Sequence, residues 1–224
     1  HDRKDRNARP AMRVWVQTFY MDAYEVTNAQ YKACVKSGKC DKAGPRYAGY
    51  FGKKQPVTGI SWFDAVKYCK AQGKHLPTEA EWEASAGPAR YPWGTDWQPD
   101  RAVIQRAADA GPEPVGRALD SAPLGVLNLA GNVREWTADW YDRFAYQAAK
   151  GQRLLNPRGP RDGTPPAGHF IETHTQAGNE RSTRRVTRGG SWPARYPDAA
   201  RRARRGARGA GLYRRSDLQP RLDH

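Results

Sequence analysis

Helix-start signals crowd into the first part of this chain and then stop. Thr27-Asn-Ala-Gln30, Ser61-Trp-Phe-Asp64 and Thr78-Glu-Ala-Glu81 each place a hydroxyl three residues ahead of a side chain that can reach back. In that arrangement the two groups satisfy each other's orphaned backbone N–H donors, so each marks a helix N-terminus. The first helix is expected to run to about Lys36 and stop at Gly38. The second, with Trp62, Ala65, Val66 and Cys69 on one face, should end near Gly73. Gly87-Pro88 keeps the third short. Ahead of them Met12–Tyr20 alternates like a strand. Past residue 87 only short strand candidates remain, at Asn132–Thr137 and Arg185–Gly189, joined by long loops. The stretch 142–184 is polar, Gly/Pro-rich and aperiodic, which predicts a surface insertion. With no internal repeat and no linker, residues 1–224 read as one α+β domain dominated by ordered loops.

Composition agrees. Twenty-two Gly and 17 Pro favour turns over stacked helices, while eight Trp and eleven Tyr supply bulky anchors to a chain of mean hydropathy −0.92. No apolar run approaches the ~18–20 residues that span a bilayer. The formal charge of +15 fits either an anionic partner or a solvated, Arg-rich surface. Arginine concentrates in Ala199-Ala-Arg-Arg-Ala-Arg-Arg-Gly-Ala-Arg208. No helix-turn-helix, zinc-finger or RNP-like pattern accompanies it, so nucleic acid is not the expected partner.

Cys34 and Cys40 flank a Lys-Ser-Gly turn, close enough for a small disulfide loop, which would imply an oxidising compartment. Cys69 reads as an ordinary buried thiol. The chain opens with His1 rather than Met, which predicts a processed or trimmed start.

Asn128-Leu-Ala-Gly-Asn-Val-Arg-Glu135 brackets Gly131 between a carboxamide and a carboxylate. Such a loop can offer a hard cation the mixture of side-chain and carbonyl oxygens it prefers. It can equally be a plain Asx-Gly turn. Glu79, Glu81 and Glu83 could pair as catalytic carboxylates, but capping and the helix dipole explain them more simply. His169, Glu172 and His174 do not converge on either a strand or a helix and read as surface loop. Ser191 has no histidine in its sequence context, so a nucleophile has little support.

Taken in series, Asp22–Asn28, Pro56–Trp62, Gly73–Glu83, Tyr91-Pro-Trp-Gly94, Asn128–Tyr141 and Arg188-Gly-Gly-Ser-Trp192 resemble the formylglycine-generating enzyme (sulfatase-modifying factor) family. The order and spacing match from about residue 13 to 221. The resemblance implies a C-type-lectin-like α+β fold with a small twisted sheet, two main helices and abundant ordered loops. It also implies an opening strand upstream of His1. By the same resemblance one Ca²⁺ is held by the side chains of Asn128 and Glu135 and the carbonyls of Gly131 and Val133. A second calcium site of the family falls on Arg101-Ala-Val-Ile104, which has no matching side-chain oxygen, so its loss is expected.

The departures matter more. The family's enzymes bind Cu(I) through two cysteines after the Gly-Gly-Ser motif, and thiolates are the ligands Cu(I) selects. Here the matching positions hold Ala194 and Ala199. Copper chemistry is therefore not expected. Arg134 stands where the family usually has Trp, and Asp217–Arg221 departs from the usual ending. Iron oxidases of the family depend on a helical domain that this chain lacks.

Two expectations follow. One is a non-catalytic extracytoplasmic (periplasmic or secreted) binding or scaffolding domain, with a groove of Trp93, Arg134, Ser191, Trp192, Arg195 and Tyr196. Its partners would be proteins, with the Arg-rich end docking an acidic surface. The other is an oxidase or modifying enzyme using a different cofactor on the same scaffold.

Overall fold

A computed structural model describes residues 8–42, 49–116, 121–159, 184–202 and 205–209. The clusters at His169–His174 and Asp217–Arg221 lie outside them. All three expected helices are present: α1 (Asn28–Lys36), α2 (Trp62–Ala71) and α3 (Glu79–Ser85). Each N-terminus carries its capping box, with Thr27, Ser61 and Thr78 accepting from the amides of Gln30, Asp64 and Glu81. The return bonds are as short as 2.6 Å, from Thr78 N–H to Glu81 Oε2. Caps of this kind are worth about 1 kcal/mol each.

The strands differ more from expectation. Of Met12–Tyr20 only β1 (Arg13–Trp15) is a strand, and it lies exposed. It pairs in parallel with β3 (Arg153–Leu155), matching Arg13 to Arg153 and Trp15 to Leu155. Just past it the Gln17 amide turns to the Asn156 side chain, at 2.7 Å. Among the described residues, the backbone of Thr18–Asp22 makes no hydrogen bond to other backbone. The second sheet has the order β2-β4-β5, all antiparallel, from β2 (Glu135–Trp140), β4 (Arg184–Arg188) and β5 (Gly206–Gly209). β2 begins three residues later than Asn132 because left-handed backbone at Asn128 (φ 67) and Asn132 (φ 64) keeps that stretch a loop.

The stretch expected as an aperiodic insertion opens with structure. It holds the one-turn helix α4 (Ala145–Ala148) and β3, and Asp142 is fully buried. The amphipathic pattern there is too short to register as a period.

The disulfide joins Cys34 to Cys40 with Cα atoms 5.3 Å apart, as expected. It sits in an aromatic cluster where Tyr31 of α1 stacks on Tyr68 of α2 at 5.7 Å. A second cluster sets Trp82 and Leu129 together beneath α3, and a third groups Tyr91, Ile104, Ala130 and Ala200. Arg185 lies between the rings of Trp62 and Trp140, at 3.6 and 3.5 Å from their centres, and so ties α2 to the sheet. Burial pushes its guanidinium down to about 10.

Among the described residues, Arg202 and Arg205 of the Arg-rich end join Arg188 in an internal clamp. Arg188, 0% exposed, donates to Glu79 at 2.8 Å, to Glu83 at 3.0 Å and to the Arg202 carbonyl at 2.7 Å. Arg205 grips Glu79 at 2.5 and 2.7 Å, and Arg202 reaches Glu83 at 2.9 Å. Tyr146 of α4 completes the set by donating to Glu83 at 2.9 Å. Glu79 and Glu83 were expected to serve a cap and a dipole. Only Glu81 caps; the other two are ion-pair partners. Burial opposes the Glu79 charge, but Arg205 and Arg188 outweigh it and hold the carboxyl below its usual range.

Candidate functional site

The segment Val16–Val26 forms one wall of a cleft of about 960 Å³, opposite α2, the start of α3 and the start of β2. Phe19, Met21 and Trp136 give it an apolar lining, and Arg134, Ser191 and Trp192 reach it. Trp192 is mainly an anchor: it is 4% exposed, donates to the Ala108 carbonyl at 3.0 Å and meets Tyr50 edge-on. Ser191 is also buried. Thr187 of β4 also lines the cleft and has a buried hydroxyl with no hydrogen-bond partner among the described residues. Cys69 lines the cleft as well, but burial and then Asp22 push its thiol up to about 11, so it is not a nucleophile at neutral pH.

The other three groove residues lie elsewhere. Trp93 stacks on Tyr91 at 5.2 Å, and Trp97 leans on both. Arg195 borders a separate hollow with Gln105 and Pro193. Tyr196 is 62% exposed. One continuous groove of six residues is thus not what the fold builds. The backbone turn after Ser191, where the Ala194 amide donates to the Ser191 carbonyl at 2.9 Å, sends Trp192 inward and Arg195 outward.

Ala194, partly buried, packs against the cluster of Tyr91, Ala102, Ile104, Ala130 and Ala200. The Ala199 carbonyl lies 3.0 Å from where a side chain on Gly190 would begin. Neither alanine can supply a soft ligand or a thiol.

The Asn128–Glu135 loop is pressed between two strips of backbone. A Cβ at Gly131 would sit 2.7 Å from the Val103 carbonyl oxygen, and one at Gly190 would sit 2.4 Å from that of Ala130. Glycine is required at both positions. Asn132, fully buried, organises the loop: its side chain accepts from the Glu113 amide at 2.8 Å and donates to Glu25 at 2.7 Å. Glu25 in turn takes the Val133 amide at 3.1 Å. Nothing in the composition of the motif singles out Asn132 over Asn128. Asn128 is buried, and Glu135 accepts a hydrogen bond from the Trp82 indole.

As a cation site the loop offers oxygens only, one of them a carboxylate. That chemistry fits Ca²⁺ and not a thiophilic or imidazole-seeking metal. Among the described residues, no group of three or more His, Cys, Asp or Glu side chains is placed to hold a metal.

The sulfatase-modifying factor enzyme 1-like domain family matches residues 1–215, so the chain belongs to that family. It is similar to the formylglycine-generating enzyme of Bos taurus, 30% identical over 221 residues, covering 71% of this chain and 58% of that one. It is also similar to the inactive C-alpha-formylglycine-generating enzyme 2 of Bos taurus, 37% identical over 138 residues, covering 55% of this chain and 45% of that one. The chain therefore spans about half the length of these curated relatives. In fold it matches PvdO from Pseudomonas aeruginosa with a TM-score of 0.57 and 22% identity, over 84% of this chain and 74% of that one.

Proposed function

We propose that this is a non-catalytic binding domain, braced by one calcium ion and working outside the cytoplasm as part of a larger protein assembly. The observation that carries the reading is the pair Ala194 and Ala199, which stand where the family's enzymes have copper-binding cysteines. All three cysteines of the chain belong instead to the α1–α2 region. The relative described as inactive supports the view that this fold is retained without the chemistry. The Cys34–Cys40 disulfide supports an oxidising compartment. Among the described residues no helix is long and apolar enough to cross a membrane.

The calcium ion would be held by the side chains of Asn128 and Glu135 and the carbonyls of Gly131 and Val133. Once bound, it would brace the loop against the Gly189–Gly190 backbone that it already touches. With a single carboxylate in the set, binding should fall toward the weak end of the calcium range. The cleft with Arg134 is the place for a partner.

Metal analysis of the purified protein, with a search for polypeptides that co-purify at fixed ratio, tests this reading. Calcium near one equivalent and no stoichiometric redox metal is the expected result. Tightly bound copper or iron would overturn it in favour of an oxidase.

A further inference from the structure

Nine of the eleven lysines in the chain fall between Lys32 and Lys74, and the only acidic residues in that span are Asp41 and Asp64. All nine are exposed. α1 buries Tyr31 and Cys34, and α2 buries Ala65 and Tyr68. Helical periodicity then turns Lys32 and Lys36 outward on α1 and Phe63, Lys67 and Lys70 outward in one stripe on α2. The two helices form one surface, because Lys67 reaches Asp41 at 2.8 Å in the loop that follows α1. That loop carries Lys39 and Lys42 and is closed by the Cys34–Cys40 disulfide. Asp64 is occupied as the cap of α2 and leaves the charge of the face unchanged in sign. Phe63, at the N-terminal end of this stripe, is 58% exposed.

We propose that the α1–α2 face docks on an anionic phospholipid surface. This goes beyond the cleft and the calcium loop and depends on neither. The choice of cation decides between partners. Arginine, with its fixed fork, is the residue enriched at protein–protein interfaces, while lysine is depleted there. This chain keeps its arginines largely elsewhere and its lysines on this face. A lysine is a hydrated point charge on a flexible stem, suited to a diffuse layer of headgroups that offers no fixed geometry. An exposed aromatic ring among such lysines is the usual complement, since it enters the headgroup boundary while the ammonium groups stay wet.

The test is co-sedimentation of the full chain with phosphatidylcholine vesicles made with and without phosphatidylglycerol. Binding is expected only with phosphatidylglycerol and should fall steeply as salt is raised. Lys67→Glu with Lys70→Glu should weaken it roughly tenfold or more. Phe63→Ser should weaken it less. Arg13→Glu with Arg153→Glu makes the same change in net charge on the β1–β3 ribbon and should leave binding near wild type. Thermal melts confirm that each variant is folded, and Lys67→Gln with Lys70→Gln replaces the charge reversal if that variant is not. Absence of wild-type binding, insensitivity to salt, or equal loss in the arginine pair would overturn the proposal. So would lysine-dependent binding to soluble polyglutamate without binding to vesicles, which would assign the face to an acidic protein.

Discussion

The two positively charged regions of this molecule use the same formal charge in opposite ways. Around Arg188 and Arg205 the guanidinium groups are buried, and their partners are the carboxylates of α3. On α1, α2 and the turn after α2 the ammonium groups stand in water, and the ion pairs Lys67–Asp41 and Lys74–Asp22 are surface contacts. A planar fork with several donors can satisfy two carboxylates and a carbonyl at once, as Arg188 does. A lysine cannot. The clamp sets three arginines against two carboxylates, so nearly all of the net charge of +15 lies outside it.

The contrast is broken most severely at Arg188. Arg188→Met leaves Glu79 with Arg205 and Glu83 with Arg202 and Tyr146, each one partner short, and should cost about 3–5 kcal/mol in denaturant unfolding. A loss near zero would mean that the clamp is not internal at all.

Asp139 sharpens the comparison through pH. It accepts the Glu79 amide at 2.7 Å, and burial, then the Glu79 charge, pushes its carboxyl up to about 7. A raised carboxyl favours the folded state while protonated. That contribution is complete below the unfolded value near 4 and is lost as pH rises through about 7. Asp139→Asn keeps an acceptor and removes the charge. It should be more stable than wild type at pH 8 by on the order of 3 kcal/mol, with the gap closing as pH falls toward 4. Melting curves across that range that run parallel for the two proteins would refute this.

A smaller effect is expected at the loop. Glu135→Ala should lower the melting temperature in calcium by a few degrees, corresponding to about 1–2 kcal/mol, and should abolish the dependence of melting on added calcium. Unchanged calcium dependence would remove Glu135 from the ion. Smallest of all, Lys70→Gln on the exposed face should stay within about 0.5 kcal/mol of wild type, since it ends no buried contact.

What the chain discloses in advance depends on how local the cause is. The three capping boxes are local, and each helix begins where its hydroxyl and partner residue say it must. The Cys34–Cys40 bridge is nearly as local, spanning six residues. The serial motifs identify the family because their order is global information written along the chain. Pairing is different. β1 finds its neighbour about 140 residues away, and nothing in Arg13–Trp15 names Arg153–Leu155. The same distance hides the clamp, since Glu79 and Arg205 are 126 residues apart and each looks like a surface charge on its own. The spacing of the six groove residues in the structure has a further cause. The groove rests on the family resemblance, which does not specify the local turn that sends Trp192 into the core and Tyr196 into solvent.

The β1–β3 ribbon has a bearing on how concentrated solutions of the protein behave. Its two strands are short, and Val14, Trp15 and Leu155 all show apolar surface to water. Such an edge would ordinarily invite a neighbouring molecule to add its own strand and begin an aggregate. At the head of this ribbon Arg13 faces Arg153, so an incoming copy meets two like charges before it can register its backbone. Neutralising that pair should therefore shorten shelf life through self-association, even though neither arginine contributes to the core.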